Sequence, residues 1–165
     1  MDLRGLCILA GKTCWVLHVD ALVLNDGGNV LGALALACRA ALAATRVAKV
    51  EVVMGEAGDE PEVEIDDEGD GVAPLEAGRV PALVTVSQVG PRVVLDLTTE
   101  EEACAAGALH VAVGRGGQLC GVSKAGGAGV HPAVVAEMLE AAQRAAPRLL
   151  AAMDAHLRAA GAVGG

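Results

Sequence analysis

Apolar and polar positions alternate from Trp15 to Leu24 (W-V-L-H-V-D-A-L-V-L), putting Trp15, Leu17, Val19, Ala21 and Val23 on one face. That period of two predicts a strand. Asn25-Asp26-Gly27-Gly28-Asn29 breaks the pattern, and from Val30 to Thr45 the chain is apolar on nearly every side, with Arg39 as its one charge. A helix buried on both flanks and capped by Asp26 or Asn29 is expected. Val47 to Met54 alternates again and is expected to pair beside the first strand. Further on, Ala82–Val89 and Arg92–Leu97 read as strands joined at Gly90-Pro91, and Thr98 to Glu102 suits a helix start. Leu109–Val113 and Gln118–Ser123 read as a hairpin about Gly114-Arg115-Gly116-Gly117. Pro132 to Ala159 is a long Ala-rich amphipathic helix with Pro132 in its first turn. Pro147 is expected to kink or split it, because proline removes a backbone donor.

Between the two patterned regions, Gly55 to Gly71 is polar, acidic and glycine-bearing, which reads as an exposed connection with a short strand at Glu62–Ile65. The organisation predicted is an α+β chain of two lobes: residues 1–54, an acidic linker at 55–71, and residues 72–165. Charge supports the division. The chain carries a net −9, yet Glu51 to Asp70 holds ten acids and no base, leaving 11 acids against 12 bases elsewhere. A protein that grips RNA alone is expected to show a basic face and stacking aromatics. Here there is one Trp and neither Phe nor Tyr, so any nucleic-acid role leans on partners.

With 165 residues and 53% apolar content the chain can bury a core. No uninterrupted apolar run is long enough to span a membrane, since Arg39 and Arg46 break the best candidate. Met1-Asp2-Leu3-Arg4 precedes only a short apolar run, so no signal peptide is expected and a cytosolic or nuclear setting follows. Cys7, Cys14, Cys38, Cys104 and Cys120 contain no C-x-x-C pair, which predicts reduced, mostly buried thiols and neither metal nor cofactor.

Several motifs fail on spacing. Gly11-Lys12-Thr13 lacks the P-loop glycine, with Leu6 in its place. Gly121-Val122-Ser123-Lys124-Ala125 ends in Ala where a nucleophile elbow needs Gly. His18, His110, His131 and His156 show no i, i+4 pairing, and Asp66-Asp67-Glu68-Gly69-Asp70 has the wrong register for an EF-hand loop. Gly27-Gly28-Asn29 stays open between two readings. It is either a tight strand-to-helix turn or an anion site made by free amides and the helix dipole.

Cys14-Trp15-Val16-Leu17-His18-Val19-Asp20 followed by Leu24-Asn25-Asp26-Gly27-Gly28-Asn29 resembles the RNase PH-like subunits of the eukaryotic exosome ring. The likeness continues in order through Ala40-Ala41-Leu42, Thr45-Arg46-Val47, Val80-Pro81-Ala82-Leu83-Val84-Thr85-Val86, Asp96, Glu101-Glu102-Ala103-Cys104 and Glu137-Met138. It implies the end of a ribosomal protein S5 domain 2-like lobe followed by an RNase PH C-terminal domain. Family members are longer at the N-terminus, so a truncated chain is expected. The resemblance further implies a ring with other RNase PH-like subunits and cap subunits, threading RNA, without membrane contact, in nucleus, nucleolus and cytoplasm. Phosphorolytic relatives carry Gly-Gly-Thr-Arg at the turn and an Asp before Val-Pro. Here Asn29 and Val30 replace the Thr and Arg, and Arg79 replaces the Asp, so anion clamp and acid are both missing. The expected function is a non-catalytic ring subunit supporting 3′–5′ RNA processing and degradation, including rRNA maturation. The competing readings are a phosphorolytic exoribonuclease and a free acidic interaction module.

Overall fold

A computed structural model describes residues 3–53, 62–65 and 71–161. A 3-10 turn at Leu3–Leu6 leads into the hairpin β1 (Cys7–Leu9) and β2 (Thr13–Cys14), and α1 follows at Val30–Ala44. Next come β3 (Arg46–Ala48), β4 (Val50–Val53), β5 (Glu62–Ile65) and β6 (Val72–Pro74). The remainder is β7 (Ala82–Val89), β8 (Arg92–Leu95), α2 (Thr99–Glu102), β9 (Gly107–Val113), β10 (Leu119–Ala125) and α3 (Pro132–Ala159).

The core is a four-stranded antiparallel sheet in the order β10-β9-β7-β8. Its register sets Ala82 opposite Val113, Val84 opposite Val111 and Val86 opposite Leu109. Those six side chains therefore share one face, and all are buried. Onto this face α3 lays Met138, Ala142, Ala146 and Leu150, a stripe four residues apart that is likewise buried. The small alanines let the helix approach closely, while Met138 fills the centre at 0% exposure. The opposite face is polar at its middle, where Thr85 Oγ1 and His110 Nδ1 lie 3.1 Å apart.

The strands expected at 82–97, the 98–102 helix start and the 109–123 hairpin are all present. Thr98 and Glu101 form a complete capping box: the Thr98 hydroxyl accepts from the Glu101 amide, and the Glu101 carboxylate accepts from the Thr98 amide at 2.9 Å. The short strand expected at Glu62–Ile65 is β5, and its four residues are exposed. The rest of the acidic segment, apart from Glu51–Val53 in β4 and Gly71, lies outside the described residues.

Five expectations are corrected. Trp15 to Leu24 is no strand: beyond the Trp15 amide, which donates to the Leu6 carbonyl, no partner pairs with it among the described residues, and Leu22 and Leu24 are 82% and 88% exposed. Alternation marks a segment able to pair, but a ladder also needs a neighbour offering free N–H and C=O groups. Accordingly Val47 to Met54 does not lie beside it. It splits at Lys49 into β3, paired with β6, and β4, paired with β5, as two separate antiparallel pairs. The helix expected to be buried on both flanks buries one, since Leu31, Ala33, Ala37 and Ala41 are exposed. Pro147 does not split α3, which runs unbroken through it. Pro147 is exposed there, so the carbonyl it leaves unpaired can meet water. Finally, the cysteines are all free, but Cys7, Cys14, Cys104 and Cys120 are exposed and Cys38 is half-buried. Each exposed thiol stands on a hairpin, an edge strand or a surface turn, where no second layer covers it.

Candidate phosphate site at the turn before α1

The turn expected to hold or refuse an anion is formed by Gly27, Gly28 and Asn29 ahead of α1. Gly28 has φ 99 and packs so tightly on the loop before α2 that a Cβ there would sit 2.3 Å from the Leu97 carbonyl oxygen. Only glycine fits. Asn29 stands at the N-cap position with φ 48, but its side chain makes no capping bond, contrary to expectation. Asp26 does not cap either: its carboxylate accepts from the Gly28 amide at 3.2 Å and closes the turn. Asn29 turns instead to the second half of the chain, its Nδ2 donating to Asp96 Oδ1 at 2.9 Å. Asp96 is also left-handed, at φ 57. Asn and Asp are the residues that tolerate this region best, so the contact joins two backbone positions of the same unusual kind.

The decisive contact is at the backbone. The Asn29 amide donates to Glu102 Oε1 at 2.8 Å. An amide at a helix N-terminus is where a bound phosphate would be received, and here a carboxylate of the same chain takes it. The Thr99 hydroxyl also donates to the Asp26 carbonyl at 3.3 Å, so α2 is docked on the turn by two contacts.

Val30 lines a cleft of about 270 Å³ with Leu22, Leu24, Gly28, Leu34 and Ala37. Arg79 is exposed and makes no hydrogen bond or ion pair with Asn29 or Val30. Its neighbour Val80 accepts through its carbonyl from Arg39 Nη1. Arg39 comes two and a half turns after Val30, about 13 Å along a helix rising ~1.5 Å per residue.

Sequence reasoning passed over a second charged cluster. Arg39 is 3% exposed, and Arg39 Nη2 lies 3.8 Å from Asp154 Oδ1. Arg115, on the β9–β10 turn, grips Asp154 with two bonds of 2.6 and 2.9 Å, while its Nε donates to the Gly78 carbonyl at 3.0 Å. Burial pushes the Arg39 guanidinium below its usual range, Arg115 adds to the effect, and Asp154 opposes both. Hydrogen bonding from Arg115 holds the Asp154 carboxyl below the ordinary range and stabilises the Arg115 cation in turn. The signal available in the sequence was one arginine inside an apolar helix, because a buried charge requires a partner. Among the described residues no group of acids, histidines and cysteines could hold a metal, and no helix is long and apolar enough to cross a membrane.

Residues 79–145 match the second domain of the 3′ exoribonuclease family, which defines an RNase PH-like protein. The chain is 35% identical over 92% of its length to a Dictyostelium discoideum protein named for the exosome exonuclease RRP42. It is 30% identical over 86% of its length to the exosome complex component Rrp42 of Methanosarcina acetivorans. In each case it spans only 46% of the relative, about half its length. An archaeal exosome core superposes with a TM-score of 0.57 at 26% identity, covering 79% of this chain and 47% of that one. The Archaeoglobus fulgidus exosome with RNA bound to the active site gives 0.54 at 27% identity, covering 76% and 44%. The fold is that of an RNase PH-like chain. Within that family, the chain is similar in sequence to the Rrp42 proteins of these organisms.

Proposed function

We propose that the chain is a non-catalytic subunit of an exosome ring, supporting 3′–5′ RNA processing and degradation by shaping the channel through which RNA is threaded. The observation that carries this reading is the Glu102 carboxylate on the Asn29 amide. Phosphorolysis needs inorganic phosphate held at the turn, and a carboxylate already on the amide both takes the donor and repels the anion. Val30 supplies no guanidinium to outweigh the carboxylate, and the Arg79 guanidinium neither releases nor accepts a proton at neutral pH. Asn29, Val30 and Arg79 are accordingly read as degenerate positions of a site whose chemistry is lost.

Partners follow from the relatives, which are named as exosome components: other RNase PH-like ring subunits, with cap subunits and RNA met in the assembly, in the nucleus, nucleolus and cytoplasm. The lobes of the reading are residues 1–54 and 72–165 about the acidic connection at 55–71. The match of residues 79–145 to the second domain of the family supports the second of these lobes. Two measurements test the proposal together. Tagged chain should co-purify the other RNase PH-like ring subunits, and purified chain with phosphate should release no nucleoside diphosphates from single-stranded RNA. Phosphate-dependent release that disappears in Arg79→Ala would make the chain an enzyme and overturn the reading.

A further inference from the structure

We propose that Cys7 and Cys14 form a dithiol–disulfide site, closed to an intramolecular bridge by low-molecular-weight disulfides of the glutathione class. β1 and β2 run antiparallel, and Cys7 stands directly across from Cys14. The backbone settles the kind of pair. The Trp15 amide donates to the Leu6 carbonyl at 2.7 Å, joining the residue after Cys14 to the residue before Cys7. Bonds that flank a pair in this way make it the non-hydrogen-bonded type, with Cα atoms about 4.5 Å apart and both side chains close together on one face. Disulfides span Cα separations of roughly 4.4–6.8 Å, so the bridge fits this register without moving a strand.

Between this pair and Leu9–Thr13 the register shifts by a bulge, and the turn beyond it closes the hairpin. The Lys12 amide donates to the Leu9 carbonyl at 3.0 Å, and Gly11 takes φ 75, the left-handed value a tight turn requires at that position. Both thiols are exposed, so a small disulfide can reach them. Cys104 and Cys120 are exposed as well, but each sulfur contacts only a carbonyl of its own segment, Glu100 at 3.6 Å and Gln118 at 3.7 Å. Among the described residues, Cys7 and Cys14 are the cysteines that face each other across a ladder.

The step balances. One cysteine thiolate attacks a sulfur of the small disulfide, giving a mixed disulfide and releasing one small thiolate. The second cysteine thiolate then attacks the protein-side sulfur, forming the Cys7–Cys14 bond and releasing the other. The protein gives up two electrons and two protons, and the small disulfide is reduced to two thiols. Closure fixes the hairpin wall of a cleft of about 430 Å³, which Cys7 and Trp15 line together with Val47, Lys49 and Pro74. Trp15 is the only tryptophan, so its emission reports on the adjacent bond.

The test equilibrates the purified chain with mixtures of reduced and oxidised glutathione, blocks free thiols by alkylation, and maps tryptic peptides. Cleavage after Arg4, Lys12 and Arg39 should yield the peptides 5–12 and 13–39 joined as one species, with two thiols lost from the five. The second peptide also contains Cys38. The link must therefore survive Cys38→Ser and vanish in Cys14→Ser. Trp15 emission should fall on oxidation and recover on reduction with the same midpoint as the peptide link. The proposal is overturned by complete alkylation of Cys7 and Cys14 across the whole redox series, or by a mixed disulfide that persists. A link that requires Cys38, or a bridge found only between two chains, overturns it equally.

Discussion

Replacing Asp154 with Asn removes the charge that two arginines share while leaving the volume nearly unchanged. Arg39 then remains 3% exposed with a cation facing a neutral amide and the like charge of Arg115. Breaking a fully buried pair by deleting one partner costs roughly 3–5 kcal/mol. The cost here should be lower, because Asp154 is 20% exposed and the Arg39 contact is a long 3.8 Å. About 2 kcal/mol is expected, allowing for partial solvent screening of the orphaned cation. Arg115→Ala is the comparison. Its side chain is 48% exposed, and an exposed pair contributes about 0–1 kcal/mol. The double variant Arg39→Met with Asp154→Leu should recover most of the Asp154→Asn loss, since an apolar replacement removes both the buried charge and its desolvation cost. Urea unfolding followed by helical circular dichroism measures all of these. Acid adds an independent check. The Asp154 pKa is depressed in the folded state, so its contribution is complete above the unfolded value of about 3.9 and is lost as pH falls through the folded value. The parent should shed this stability below about pH 4, and Asp154→Asn should lack that component. If Asp154→Asn costs no more than Arg115→Ala, and both variants keep the parent's acid profile, Arg39 is not held by Asp154 and the clamp between α1, α3 and the β9–β10 turn does not exist.

Gly28→Ala should destabilise by more than about 1 kcal/mol, because it adds backbone strain at positive φ to a Cβ lying 2.3 Å from the Leu97 carbonyl oxygen; thermal denaturation checks it. Glu102→Gln should cost about 1–2 kcal/mol by weakening a charge-assisted bond to the Asn29 amide, and titration calorimetry with inorganic phosphate should show whether the vacated amide gains affinity over the parent. Met138→Ala should cost about 2–5 kcal/mol as a large-to-small change at the centre of the core, read as a lowered urea midpoint with an unchanged slope.

How far the sequence could be read depended on whether an element finds its partner close by in the chain. The β9–β10 hairpin and the β7–β8 pair join neighbours across short turns, and α2 announces itself through Thr98 and Glu101, three residues apart. The contacts that decide the candidate site join residues far apart in the chain. Asn29 meets Asp96 and Glu102 across 67 and 73 positions, and nothing in the spacing of a turn and a distant acidic helix start ties one to the other. Asn29 was legible as a departure from a phosphate-binding pattern, but the carboxylate occupying its amide was not.

Trp15–Leu24 and β7 present similar alternation and end differently, which locates what pattern alone omits. In β7, Ala82, Val84 and Val86 alternate with Leu83, Thr85 and Ser87, and both backbone edges are taken, by β8 on one side and β9 on the other. Its apolar face also has a helix to bury against, so burial and backbone pairing act on the same register. Trp15–Leu24 offers the same period, but beyond the Trp15 amide it has no ladder among the described residues, and Val16, Val19 and Leu22 stay more than half exposed. Ordering a residue's backbone costs roughly 1–2 kcal/mol, which a lone extended segment cannot recover from its own side chains. The segment and the outer flank of α1 adjoin along Leu22, Leu24, Val30, Leu34 and Ala37. An added ladder along 15–24 would therefore order the strand and extend the apolar layer beside α1 in a single step. A ring neighbour that protects the amides of 15–24 from hydrogen exchange should also raise protection in α1, whereas protection of one without the other would separate the two surfaces.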